Sequence, residues 1–210
     1  MNLEEKTFAA HLLDFLAYGE KIATRCAKQQ AQLTEDRKMR CFFATQARQE
    51  KQHAFVFTSA TRWFRPKGFQ YPKHRGLIDF EKKLDTTLNK GRLAESIMAQ
   101  QLLFEGLGEI TLEKVSQGIE DRGFGFQRVR KTILKQEHAH HQFGEKQINQ
   151  LFSSAELDTY LLAKQCREYL EILEQTLYDM QSVLQFYNQS AESFYQQLIT
   201  ELPSQLQAEL

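Results

Sequence analysis

The chain has 210 residues, with 27 basic and 27 acidic side chains and a formal net charge of zero. That length suits one sizeable domain or at most two small ones, and the charge balance excludes a general polyanion binder. Only 10 glycines and 3 prolines interrupt a chain rich in Leu, Gln, Glu, Lys and Ala, which predicts an all-α fold.

The opening stretch MNLEEKTFAAHLLDF carries early acids and no basic leader, so no signal peptide is expected. A first helix is predicted over about 3 to 32, where Ala9, Leu13, Leu16, Glu20, Ala23 and Ala27 recur at three- and four-residue steps. Glu20 is the one member of that stripe that is neither apolar nor small. Thr34 is the expected cap of a second helix over about 35 to 63, with Met39, Phe43, Gln46, Glu50, His53 and Phe57 on one face. RPKGFQYPKHRG then breaks the pattern, a shorter helix follows at about 77 to 89, and NKGR breaks it again. A third long helix is predicted over about 92 to 117, with Met98, Gln101, Leu102, Glu105, Gly108 and Leu112 facing inward. After the turn QGIEDRGFG a fourth covers about 124 to 150, with Phe126, Val129, Ile133, Glu137, His140 and Gly144 in phase. A helical C-terminal region opens at Ser154 and breaks near Asn188. No apolar run approaches the roughly 20 residues of a membrane span. Cys26, Cys41 and Cys166 have neither metal-type spacing nor the look of a disulfide framework, so a reducing, cytoplasmic setting is expected.

Two stretches, ARQEKQHAF and KQEHAHHQFGEK, each contain Glu-x-x-His: Glu50 with His53, and Glu137 with His140. Residues on antiparallel helices sit level when they are equidistant from the connecting turn. Glu20 and Glu50 are equidistant from Glu35, beside the Thr34 start signal; Glu105 and Glu137 are equidistant from Asp121, inside the Gly118–Gly123 turn. Each hairpin therefore sets its glutamates level. The long link over 64 to 91 suits a crossover along a bundle of about 30 Å. The predicted result is a four-helix bundle with Glu20, Glu50, His53, Glu105, Glu137 and His140 at mid-height. Six such groups are costly to bury unless paired or bound to metal. Two Glu-x-x-His pairs with two further glutamates suit a di-iron or di-manganese carboxylate site. Zinc alone needs only about four ligands, whereas hard carboxylates with one imidazole per metal suit iron cycling between ferrous and ferric.

The pattern Glu, Glu-x-x-His, Glu, Glu-x-x-His resembles the ferritin-like di-iron carboxylate superfamily. Within it, the spacing of the ligand positions, the stretch EHAHHQFGE and the helical tail are most similar to the cyanobacterial aldehyde-deformylating oxygenases. The resemblance spans about 5 to 150; FEGLGEITLEK departs from the family's third helix beyond its glutamate. It implies a ferritin-like four-helix bundle with a long crossover between helices 2 and 3 and extra C-terminal helices. It also implies two iron ions, with manganese as the alternative, and the same six residues as metal ligands and catalytic groups. The implied activity is that of a non-haem di-iron oxygenase or oxidase. It would activate dioxygen on a small apolar substrate such as a fatty aldehyde, with electrons from an external donor such as ferredoxin. The rivals are a ferroxidase or peroxide scavenger, as in ferritins and rubrerythrins, and a di-iron tRNA hydroxylase, against which the neutral charge weighs. A metal-free helical interaction module is disfavoured by the buried acids.

Several neighbours have two readings. Glu109, one turn from Glu105, is the alternative ligand. His138 is expected to face outward and His141 to lie beside the ligands or on the substrate side. Gln46 and Gln101 lie a turn from ligands and either hydrogen-bond them or are ordinary helix residues. Gly19, Gly106, Gly108 and Gly144 either let helices pack closely or leave room beside the metals. The basic run RVRK at 128 to 131 reads as solvated surface.

Overall fold

The structure, a computed structural model, describes residues 2–120, 127–154 and 159–209 and is all-helical. Helix α1 (Leu3–Leu33) begins with a capping box, in which Asn2 accepts from the backbone N–H of Glu5 and the Glu5 side chain accepts from Asn2. Helix α2 (Arg37–Phe64) returns antiparallel along α1. Asp36, rather than the expected Thr34, caps it. Its carboxylate accepts from Lys38 at 2.6 Å and Met39 at 2.9 Å, while Thr34 ends α1. A carboxylate at a helix N-terminus meets the dipole as well as the free amides, which a hydroxyl does not. Those two bonds also hold the Asp36 carboxyl below its ordinary range.

Helix α3 (Arg75–Asn89) buries Leu77, Phe80, Leu84 and Leu88, and the chain turns at Gly91, whose φ of +68° suits a residue without Cβ. The predicted third long helix is divided. Helix α4 (Leu93–Ile97) passes into a π-helical segment (Met98–Phe104) and then into α5 (Glu105–Glu120). Helix α6 (Gln127–Ser154) packs on the π segment and on α5. Gly144 makes that approach possible, since a Cβ there would lie 2.7 Å from the backbone carbon of Gln101 and 2.8 Å from the amide of Leu102. Close packing is therefore the reading that applies to Gly144. The turn around Asp121, and Phe126, lie outside the described residues.

Ser154 still belongs to α6 and so does not open the C-terminal region, whose described residues begin at Thr159. The region comprises α7 (Thr159–Asp179), α8 (Gln181–Phe186), α9 (Ala191–Thr200) and α10 (Ser204–Gln207). The break near Asn188 is present, with φ at +59°. These helices pack on α3, α5 and the π segment. Their Tyr169, Phe194 and Leu206 join one apolar cluster with Leu12, Phe43 and Leu102 from the N-terminal helices. Among the described residues no helix is long and apolar enough to cross a membrane.

Candidate metal centre

The structure brings the six predicted residues together from four helical stretches. Glu20 comes from α1, Glu50 and His53 from α2, Glu105 from the junction of the π segment with α5, and Glu137 and His140 from α6. All are buried, Glu50 completely. Ligand atoms of Glu20, Glu50, His53 and Glu137 lie within 4.8 Å of one another, and so do those of Glu50, Glu105, Glu137 and His140. Glu50 and Glu137 belong to both groups. Each group therefore contains one complete Glu-x-x-His pair, and the glutamates of both pairs also stand between the groups, while Glu20 and Glu105 each belong to one group.

The imidazoles are turned for ligation. His53 Nε2 lies 2.7 Å from the side-chain oxygen of Gln136, and His140 Nε2 lies 2.9 Å from that of Gln49. An amide oxygen only accepts, so each Nε2 carries a proton and donates it, leaving Nδ1 to face the carboxylates. Nδ1 of His53 lies 2.9 Å from both Glu50 and Glu137, and Nδ1 of His140 lies 2.9 Å from Glu50. These contacts lack hydrogen-bond geometry: both Nδ1 atoms, both Glu50 oxygens and Glu137 Oε1 are buried without a hydrogen-bond partner. Buried polar atoms are almost always satisfied. Five orphaned atoms converging on one volume are the arrangement a metal-binding donor set requires, and the donor types fit hard or borderline cations.

Neither Gln49 nor Gln136 was expected at the site, though a signal is visible in the sequence. Both motifs are Gln-Glu-x-x-His after a basic residue: Arg48-Gln49-Glu50 and Lys135-Gln136-Glu137. Each glutamine holds the histidine of the other motif. Replacing Gln136 with Leu should weaken one of two metal-binding steps roughly 10–100-fold and spare the other. A cobalt(II) titration followed by its d–d absorption would then become biphasic; two unchanged steps would show that Gln136 does not orient His53.

The π segment performs a second positioning task. Gln100 lies five residues before Glu105, one π turn, and its amide donates to Glu105 Oε1 at 2.9 Å. Gln46 donates to the same oxygen at 2.8 Å. Gln101 donates to Gln46 and Gln30, which extends the buried network to Ser96. With Oε1 occupied by two amide donors, Glu105 presents Oε2 to the centre.

Burial and neighbouring charge pull the groups of the cluster in opposite directions. Burial, then the neighbouring carboxylates, raises Glu20 and Glu105 well above the ordinary range. Burial would also raise Glu50 and Glu137, but the two histidines beside them, together with Glu105 beside Glu137, hold both below it. Burial would lower His53 and His140, yet the carboxylates outweigh it: His53 is strongly raised and His140 reaches about 9. The shifts thus favour the imidazolium form of both histidines beside Glu50 and Glu137, and the neutral acid form of Glu20 and Glu105. Two divalent ions with four carboxylates and two neutral imidazoles would sum to zero.

Glu109, the alternative ligand, lies outside both groups. Its oxygens meet His138 Nδ1 at 2.5 Å and His141 Nδ1 at 3.1 Å. His138 is half-exposed, as expected, whereas His141 is buried, with Nε2 3.1 Å from where a Gly106 Cβ would lie. A small apolar pocket adjoins the cluster, lined by Phe15, Leu16, Gly19, Phe104, Gly108 and Leu112, with Glu20, Glu105 and Glu137 on its wall. The chain matches no protein-family model and no curated protein.

Proposed function

We propose that this protein is a non-haem di-iron oxygenase or oxidase built on a ferritin-like four-helix bundle. In that reading α1, α2, the π segment with α5, and α6 are the four bundle helices. α3 lies in the long crossover, and the C-terminal helices are an addition to the bundle. The observation that carries the proposal is the pair of overlapping donor groups sharing Glu50 and Glu137, with five of their atoms otherwise orphaned. Two iron ions are the favoured occupants and manganese the alternative, because four carboxylates and two imidazoles suit metals that prefer oxygen with some nitrogen.

When bound, the metals supply the redox chemistry that reduces dioxygen. The chain supplies the rest. Glu50 and Glu137 stand between the two positions, while Gln49 and Gln136 fix the imidazole tautomers. Gln46 and Gln100 hold Glu105 in one orientation. Phe15, Leu16, Phe104 and Leu112 keep one side apolar, which favours a small apolar substrate and limits water. Three free cysteines, one of them exposed, fit a reducing, cytoplasmic setting.

The iron-oxidising rival has one feature in its favour. Glu109 pairs with His138 and His141 nearer the solvent, which places a further carboxylate and two imidazoles outside the central groups. Gly108→Phe separates the readings. A Cβ at Gly108 meets nothing within 4 Å and Gly108 lines the pocket, so the substitution adds bulk beside the cluster while leaving all six ligand residues in the sequence. Metal content should persist, because helix propensity if anything improves. Turnover of a medium- or long-chain aldehyde, with reductant and dioxygen supplied, should fall at least roughly tenfold, the range of discrimination a pocket of this kind provides. Oxidation of added ferrous iron should fall less. Many cycles of iron oxidation by wild type, with no aldehyde turnover, would favour the rival.

A further inference from the structure

One face of the molecule carries a charge pattern that the metal centre does not explain. α2 packs mainly on α1 and only lightly on α6, while the C-terminal helices pack chiefly on α3, α5 and the π segment. On the open side of α2 Arg48, Lys51 and Arg62 are exposed beside Phe55 and Trp63, which are 74% and 82% exposed. Every charged side chain of α2 other than Glu50 and His53 is basic, and Arg128, Lys131 and Lys135 continue the charge along exposed α6. Among the described residues none of these six cations has a carboxylate partner. The balancing acids lie in the C-terminal helices, where Lys164 and Arg167 stand against Glu168, Glu171, Glu174, Asp179, Glu192 and Glu201. A chain of zero net charge is thus strongly polarised.

The seam between α2 and α6 also leads to the donor set. Gln49 and Gln136 are partly exposed there, and each bonds a buried histidine of the cluster. One glutamine side chain therefore separates solvent from each imidazole.

We propose that this face receives a small acidic one-electron carrier protein, and that the Gln136–His53 and Gln49–His140 pairs lead from it to the donor set. The proposal rests on the redox reading of that set. Each encounter oxidises the carrier by one electron and reduces one bound ferric ion to ferrous, with no bond made or broken. The stretch from Arg48 to Trp63 spans about 22 Å of helix, the scale of a standard footprint of roughly 800 Å² per partner. Exposed tryptophan and phenylalanine ringed by arginine and lysine are the composition of a protein-interface centre. A long polyanion or a membrane would instead be met by a molecule with no net positive charge.

The test is a calorimetric titration with a small acidic [2Fe–2S] ferredoxin, on metal-free and on iron-loaded protein, because docking needs no metal. Binding is expected in both at low salt and should be lost near 0.5 M sodium chloride. Lys51→Glu with Arg62→Glu should weaken it by roughly tenfold or more. Trp63→Ala should weaken it without altering its salt dependence, and Lys164→Glu, on the acidic side, should leave it unchanged. No binding at low salt, or equal binding by the charge-reversed variant, would overturn the docking face. Tighter binding of single-stranded RNA or of phosphatidylglycerol vesicles at equal ionic strength would overturn the acidic-protein assignment. Normal docking by a wild type that takes up no iron would instead remove the electron-transfer role and, with it, the redox reading.

Discussion

Stripping metal from the protein with a chelator should lower its melting temperature by about 10 °C at pH 7.5 and by only a degree or two at pH 5. The pH dependence follows from the proton inventory of the cluster. In the metal-free protein His140 is held up at about 9 by Glu137 and Glu50 in spite of burial, and His53 is raised in the same way. A raised histidine stabilises the fold fully below its ordinary value of 6.5 and loses that stabilisation as pH rises through its folded value. Glu20 and Glu105, raised chiefly by burial, act in the same direction: deprotonating them above their ordinary value of 4.5 costs stability in the fold. The metal-free protein should therefore weaken steadily from pH 5 to pH 9. Metal binding needs those same four groups deprotonated, so it displaces protons from His53, His140, Glu20 and Glu105 and strengthens as pH rises. A gap between holo and apo melting temperatures that is absent, or constant across this range, would contradict the proton inventory.

Replacing His53 and His140 together with alanine should reduce bound metal by roughly tenfold or more. Each imidazole is the sole nitrogen donor of its group. The same change removes the two positive charges that face Glu50 and Glu137 in the metal-free state, so the variant should also lose stability near neutral pH. Metal analysis of protein purified at pH 6, alongside circular dichroism, separates loss of ligands from loss of fold. His138→Ala is the matched control. That histidine pairs with Glu109 outside both groups, so metal content should stay at the wild-type level. Undiminished metal in the double variant would refute the donor assignment.

The sequence made the helices legible because breakers are few and cluster where the chain turns. It also made the six donors legible. Glu20 interrupts an apolar stripe, and the hairpin arithmetic needs only the positions of two turns. Other features left no such mark. The π segment from Met98 to Phe104 shifts hydrogen bonds from i−4 to i−5, and no residue type signals that shift. Gln100 and Gln101 are both fully buried, and it is the five-residue turn that brings Gln100 onto Glu105, a contact that the three- and four-residue steps of an ordinary helix do not predict. The cap of α2 was misassigned because Thr34 and Asp36 are both good caps, and only the backbone bonds to Lys38 and Met39 distinguish them. The glutamines over the histidines were visible as a repeated Gln-Glu-x-x-His. Their cross-pairing, however, depends on α2 and α6 being neighbours, a tertiary fact that spacing within either motif cannot convey. Gly144 had two readings because a glycine is equally suited to a cavity and to a close contact, and the backbone of Gln101 decides between them.

The most direct measurement is an anomalous difference map, recorded from crystals of protein produced in iron-replete cells, with data collected above and below the iron absorption edge. Two iron peaks are expected. One should lie among Glu20, Glu50, His53 and Glu137 and the other among Glu50, Glu105, Glu137 and His140, with Glu50 and Glu137 adjoining both. A map with no peak at these residues, or with its metal at Glu109, His138 and His141 instead, would contradict this expectation.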